Sequence, residues 1–289
     1  MKILEKPLEF YLKRLRDKEY FSFPGFSDSE WFCMMGERIG TASGFGQTHT
    51  KEAGELLLES VKINQDNYFR AVPKVLPYLP AFCDGNIDRF LEKNNISEVF
   101  YERDMITDEL AERAGLFPLI DQLRKMNCVF IGNEAFAGKL GFLKISNYYK
   151  TSSPNFHMDV EGMNNIVENI RRRGVPAVYL FSSGISAGIM IGKLHGMPNS
   201  FFLDLGSIWD AFIGIGGQRE WRDNLYNNET KLNEWKRANL KQYYGEQRNE
   251  SRPSVRHVRP FQALGESIVK GQQRGLRYYQ RKESGGNVT

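Results

Sequence analysis

The sequence predicts an α/β fold, a mostly parallel sheet with helices on both faces. Three observations predict it. Apolar runs of strand length alternate with segments of helical spacing, most clearly from 175 to 205. The runs are apolar along their length, as strands covered on both faces must be. Hydrophobic residues make up 41% of the 289 residues and aromatics 13%, enough to fill a core on each side of a sheet.

The elements follow in order. Residues 4–19 read as an amphipathic helix, with Leu8, Tyr11, Leu12 and Leu15 on one side. Tyr20 to Phe23 is a strand that ends at Pro24-Gly25. The run Thr41 to Thr50 is a loop by composition, and Lys51 to Val61 repeats its apolar residues at helical spacing. Residues 66–95 mix apolar residues with Pro and Gly and read as helix fragments and turns. Glu98 to Tyr101 is a strand, Leu116 to Lys125 a helix and Asn127 to Ile131 a buried strand. Residues 139–158 are aromatic and rich in Ser and Asn, and read as loop. Val160 to Arg173 is a helix stopped by Gly174. Val175 to Phe181 is a strand, Ser186 to His195 a helix, and Ser200 to Leu205 a strand. Residues 219–247 read as a charged helical region.

Charge divides the chain. From Ser251 to Thr289 eight Lys and Arg face only Glu266 and Glu283, an excess larger than the net +4 of the whole chain. Residues 1–250 are therefore slightly acidic and are expected to form a single α/β catalytic domain, with 251–289 a basic, helical C-terminal extension. Cys33, Cys83 and Cys128 are odd in number and widely spaced, which excludes a disulfide framework and a structural zinc site. The segment Met1 to Lys6 has no secretory apolar stretch. The uncharged run between Arg173 and Lys193 contains Pro176, four Gly and three Ser, which suits a strand and a Gly-rich turn and not a membrane span. A cytoplasmic location without a transmembrane segment is expected.

In parallel sheets ligands bind at the carboxyl ends of strands, so polar residues there are candidates for chemistry. Asp28 and Glu30 follow the strand at 20–23 and precede an apolar helix. Two acids at this spacing can share Mg²⁺ or Mn²⁺ or hold ribose hydroxyls, and such a cation neutralises a diphosphate. The same run, Ser27-Asp28-Ser29-Glu30, also reads as a helix N-cap with acids in the first turn. The turn Ser182-Ser183-Gly184-Ile185-Ser186 joins a strand to a helix whose first N–H groups can bind phosphate. Gly184 to Gly188 also spells G-x-S-x-G, which would make Ser186 the nucleophile of an α/β-hydrolase with Asp204 or Asp210 and His257. Asp204 ends the next strand, where an acid can hold a ribose or act as a base. Glu134 ends the strand at 127–131, and Arg103 follows the strand at 98–101 beside Glu102 and Asp104. His49, His157 and His195 show no metal-ligand spacing.

Taken together, these clusters resemble the GT-D glycosyltransferases, bacterial sugar-nucleotide enzymes with a Rossmann-like domain. Gly25-Phe26-Ser27-Asp28-Ser29-Glu30 stands where that family has an Arg-Tyr-Gly-Asp-Gly-Glu motif; the acids match, while the Arg and both Gly do not. The strand, Gly-rich turn and helix from Val178 to Lys193 lead to Asp204-Leu205-Gly206-Ser207 in place of Asp-Ile-Gly-His, and Arg103-Asp104 takes the place of Arg-Pro. The resemblance spans residues 20–215. It implies a metal-dependent transferase that moves a sugar from a nucleoside diphosphate sugar, UDP-linked, to a hydroxyl of a glycan or glycoprotein. Asp28 and Glu30 would hold the cation (Mn²⁺ or Mg²⁺), and Arg103, Ser183, Gly184 and Ser186 the donor phosphates. Asp204 or Glu134 would deprotonate the acceptor. The basic extension, with Phe261, Tyr278 and Tyr279, keeps a second acceptor open, the hydroxymethylated bases of phage DNA. A binding module without turnover is the third reading.

Overall fold

The computed structural model describes residues 1–36, 49–73, 87–103, 117–152 and 155–209. All of them belong to one unit, Met1–Arg237. The division at 250/251, the charged region 219–247 and the basic extension lie outside the described residues.

Eight short strands, all parallel to their neighbours, carry the structure. They are β1 (Lys2–Leu4), β2 (Ser22–Phe23), β3 (Ala71–Val72), β4 (Val99–Glu102), β5 (Cys128–Asn133), β6 (Ile145–Thr151), β7 (Val178–Ser182) and β8 (Phe201–Asp204). Three of them pair in the order β1-β4-β3 and five in the order β2-β8-β7-β5-β6. Single parallel bridges, Ser22 to Tyr68 and Gly25 to Ala71, set β3 beside β2. The strands therefore follow as β1-β4-β3-β2-β8-β7-β5-β6.

Side chains alternate between two cores. Val129, Ile131, Tyr179, Phe181 and Phe202 face one; Phe130, Val178, Leu180, Phe201 and Leu203 face the other. The first core is closed by α2 (Asp28–Met35), α3 (Lys51–Val61), α4 (Ile87–Lys93), α6 (Val160–Arg173) and α7 (Ile185–Leu194). The second is closed by α1 (Leu8–Asp17), α5 (Phe117–Arg124) and the 3₁₀ turn Gly206–Trp209. The predicted α/β class, with both faces covered, is the observed one.

Local chemistry sets the boundaries. Thr50 caps α3 by accepting from the Ala53 N–H (3.1 Å), and Asp159 caps α6 by accepting from Gly162 (2.8 Å). Two expectations need correction. Residues 139–158 contain β6, which pairs with β5 over its whole length; its polar residues are tolerated because it ends the sheet order and only partly covers its side chains. Leu4, read as the start of the first helix, instead ends a strand formed by residues 2–4, because β4 offers them a partner.

Helices α3 and α7 lie against each other at small residues, with Ser60 Oγ donating to the Gly188 carbonyl (2.7 Å). A methyl group at Gly192 would stand 2.6 Å from Ser60 Cβ, and one at Gly54 would stand 2.4 Å from the Cys33 carbonyl oxygen. An exposed helical Gly→Ala change stabilises by about 1 kcal/mol. Gly54→Ala is expected to do the reverse and destabilise by about 1–3 kcal/mol, because a backbone carbonyl cannot yield as a side chain can. A urea unfolding midpoint, read with the slope, checks the sign.

Candidate active site

After β2 the chain turns into α2 on the first face, and after β8 it turns into Gly206–Trp209 on the second. Two neighbouring parallel strands whose loops part to opposite faces leave a crevice at their carboxyl ends, where ligands of such sheets bind.

Asp204 is the last residue of β8 and is only 3% exposed. Its Oδ2 accepts from the Gly25 N–H (3.1 Å), and its Oδ1 accepts from the Gly206 N–H (3.0 Å). Arg103, one residue beyond β4, brings Nη2 to 3.7 Å from Asp204 Oδ2 and donates from Nη1 to Ser27 Oγ. One guanidinium thus joins the loops after β2 and β8 to the end of β4. Both glycines are needed for clearance. A Cβ at Gly25 would lie 2.6 Å from Asp204 Oδ2 and 2.7 Å from Arg103 Cζ, and one at Gly206 would lie 2.7 Å from Arg103 Nη2. Gly206 also has φ of 54°, which a side chain would strain.

Ser27 and Glu30 form a capping box at the start of α2: the Ser27 N–H donates to Glu30 Oε2 (2.8 Å). Glu30 is 6% exposed. Burial pushes its carboxyl up to about 7; the Arg103 charge pulls it down and Asp204 pushes it further up. Asp204 is also raised by burial, against Arg103 and its two backbone donors. Asp28 is the first residue of α2; the residue as a whole is less buried than Glu30, although its Oδ1 is shut from solvent. Residues two apart on a helix point to different sides, so Asp28 and Glu30 do not face each other. Glu30 turns inward to its own N-cap.

The other predicted residues divide. Ser182 donates from Oγ to the Gly206 carbonyl, which ties the end of β7 to the Asp204 turn. Gly184 is the N-cap of α7 with φ of 59° and ψ of −141°, and no side chain caps that helix. Ser183 therefore stands beside a helix start whose first N–H groups have no partner within the helix. Ser186 is 0% exposed and donates to the Ser183 carbonyl (2.7 Å). It sits inside the first turn and presents no nucleophile, which corrects the hydrolase reading. Asp210 and His257 lie outside the described residues. Glu134, in the 3₁₀ turn after β5, is 69% exposed, pairs with Lys150, and is not part of the cluster. His195 shares hydrogen bonds with Ser22 Oγ (2.8 Å) and Gln65 Oε1 (2.9 Å). Among the described residues no group of three or more His, Cys, Asp or Glu side chains is arranged to hold a metal ion by itself.

Sequence reasoning assigned no role to Gly25 or Ser182 and did not foresee the hydrogen bond that Arg103 donates to Ser27. The S-x-x-E capping signal was visible at 27–30, but nothing in it shows that the cap hydroxyl also receives an arginine from another strand.

No protein-family pattern matches the chain, and no curated protein matches it. Solved structures do. One, of a highly conserved domain of unknown function 1792 described as having a distinct glycosyltransferase fold, superposes with a TM-score of 0.50 at 16% identity, covering 71% of this chain and 79% of that one. Another, described as a new glycosyltransferase of that domain class from Streptococcus sanguinis, gives a TM-score of 0.50 at 16% identity over 72% and 82%. The likeness is one of fold, and it matches the expected architecture.

The Glu30 carboxyl is expected to titrate near pH 7, and Arg103→Met to move it higher by removing the charge that lowers it. Carboxyl-carbon NMR reads both. A carboxyl raised on folding penalises the native state as pH rises from its unfolded value through its folded one. Glu30→Gln should therefore gain stability relative to wild type between pH 5 and pH 8.

Proposed function

We propose that this chain transfers a sugar from a nucleoside diphosphate sugar, UDP-linked, to a hydroxyl of a glycan or glycoprotein. The observation that carries the reading is the Asp204–Arg103–Ser27 cluster at the carboxyl ends of β8, β4 and β2, in a fold shared with structures described as glycosyltransferases.

The charge of the cluster fits a divalent cation. Asp28 and Asp204, with Glu30 only partly ionised near neutral pH, offset the single charge of Arg103, so a dianionic diphosphate entering alone meets no net positive charge. Mg²⁺ and Mn²⁺ characteristically take one or two carboxylates and complete their shell with phosphate oxygens. That arrangement does not require three protein ligands. Of the two acids Asp28 would hold the ion, since Glu30 turns inward to its own N-cap. Once bound, the cation supplies neutralisation of the diphosphate as it leaves.

The chain's own residues do the rest. Arg103 faces the leaving diphosphate with a charge already fixed in place by Asp204 and Ser27. A donor that need not reorganise during the reaction stabilises the transition state more than the ground state. Asp204 spends both oxygens on backbone N–H groups and acts as the positioning residue of the two loops. The free N–H groups at Gly184 and Ile185 offer a second seat for phosphate. Tests of the DNA acceptor rest with the basic extension, and nothing in the described residues favours it. Among those residues no helix is long and apolar enough to cross a membrane.

Incubation with a panel of UDP-sugars and Mn²⁺ should release UDP. Arg103→Met should lower kcat/KM by about a hundredfold, the scale seen when one preorganised donor is removed. Asp28→Asn should raise the Mn²⁺ concentration needed for half-maximal rate, and chelation should stop release in both. A folded wild-type chain that releases no UDP from any donor with Mn²⁺ or Mg²⁺ contradicts the reading.

A further inference from the structure

His49 and His157 are far apart in the sequence, yet their ring centroids lie 5.8 Å apart at an interplanar angle of 45°. His49 immediately precedes Thr50, the cap of α3. His157 is fully buried in the 3₁₀ turn Phe156–Met158, which packs against α7. Asn155 is the N-cap of that turn, and Ser183 precedes the N-cap of α7. Helices α3 and α7 run the same way, since Leu57 meets Gly188 and Ser60 meets Gly192. The loops bearing His49, Asn155 and Ser183 therefore all open on the carboxyl side of the sheet, the side that holds the Arg103 cluster.

Both ring nitrogens of His49, Oδ1 of Asn155 and Oγ of Ser183 are shut from solvent with no hydrogen-bond partner among the described residues. Buried polar atoms are nearly always bonded, and these four stand on loops that share the carboxyl side of the sheet, where a bound group would supply their bonds. Burial and the neighbouring His157 lower the pKa of His49, which favours its neutral ring. A neutral imidazole offers one donor and one acceptor, an amide oxygen accepts, and a hydroxyl does both. Such a set carries no charge to hold a phosphate but complements groups that both donate and accept.

We propose that His49, Asn155 and Ser183, backed by His157, form a subsite for the hydroxyl groups of a sugar. The inference rests on the transfer reading above and adds to it the place where the sugar itself is read. Sugar hydroxyls come from either the donor or the acceptor, and the test separates the two.

The variants are His49→Phe, Asn155→Ala and Ser183→Ala in the full chain, each checked for a wild-type unfolding midpoint. Calorimetric titration compares UDP with UDP-sugars in Mn²⁺, and transfer kinetics give the acceptor KM. If the subsite reads the donor sugar, UDP affinity stays within about twofold while affinity for the preferred UDP-sugar falls about tenfold, the scale of one lost hydrogen bond. If it reads the acceptor sugar, both affinities hold and the acceptor KM rises about tenfold. Variants that match wild type in every arm overturn the subsite and leave the transfer reading standing. Equal loss of UDP and UDP-sugar overturns it too, since the residues would then serve the nucleotide. A wild-type chain that binds neither ligand removes both.

Discussion

The Asp204 carboxylate is the point on which the site depends. A buried carboxylate is tolerated only where charge and hydrogen bonds replace its water. Here the replacement comes from the Gly25 and Gly206 N–H groups and from Arg103. The arrangement fixes the two loops that part at the β2–β8 crevice and holds a guanidinium over both. Each partner is constrained in turn. Gly25 and Gly206 must lack side chains, Arg103 must be long enough to cross from β4, and Ser27 serves as helix cap and arginine acceptor at once. Glu30 completes the set from below, its carboxyl raised by burial to about 7 and moderated by the same arginine.

The cluster also links the site to the helices. Ser182 and Asp204 sit on adjacent strands, and the Ser182 hydroxyl holds the Gly206 carbonyl. The next residues open α7, whose small face lets α3 approach closely. The start of α3 then brings His49 to His157. The packing of α3 on α7 thus sets where the group that would hold sugar stands on the carboxyl side of the sheet.

Much of this was legible in the sequence. Helices 51–61 and 160–173 were readable to the residue because strong caps and a terminal glycine mark their ends. The strands at 178–182 and 201–204 were legible because burial on both faces leaves an unbroken apolar run. The run at 145–151 was not, since it alternates polar and half-buried residues and owes its conformation to β5. In the site, the acids announced themselves by standing at strand ends. Arg103 was readable as a strand-end cation that could meet a phosphate, but not as the partner of Asp204, because an ion pair formed across the sheet from β4 to β8 leaves no local pattern. The His49–His157 pair had no signal at all: its spacing is set by the fold, not by the chain.

The central claim is that the Arg103 cluster receives the diphosphate of a sugar nucleotide. A crystal structure of the chain soaked with UDP and Mn²⁺ tests it most directly. The account predicts diphosphate density against the Arg103 guanidinium, with the cation between it and Asp28. Saturating ligand bound elsewhere on the chain, with no diphosphate against Arg103, would contradict it.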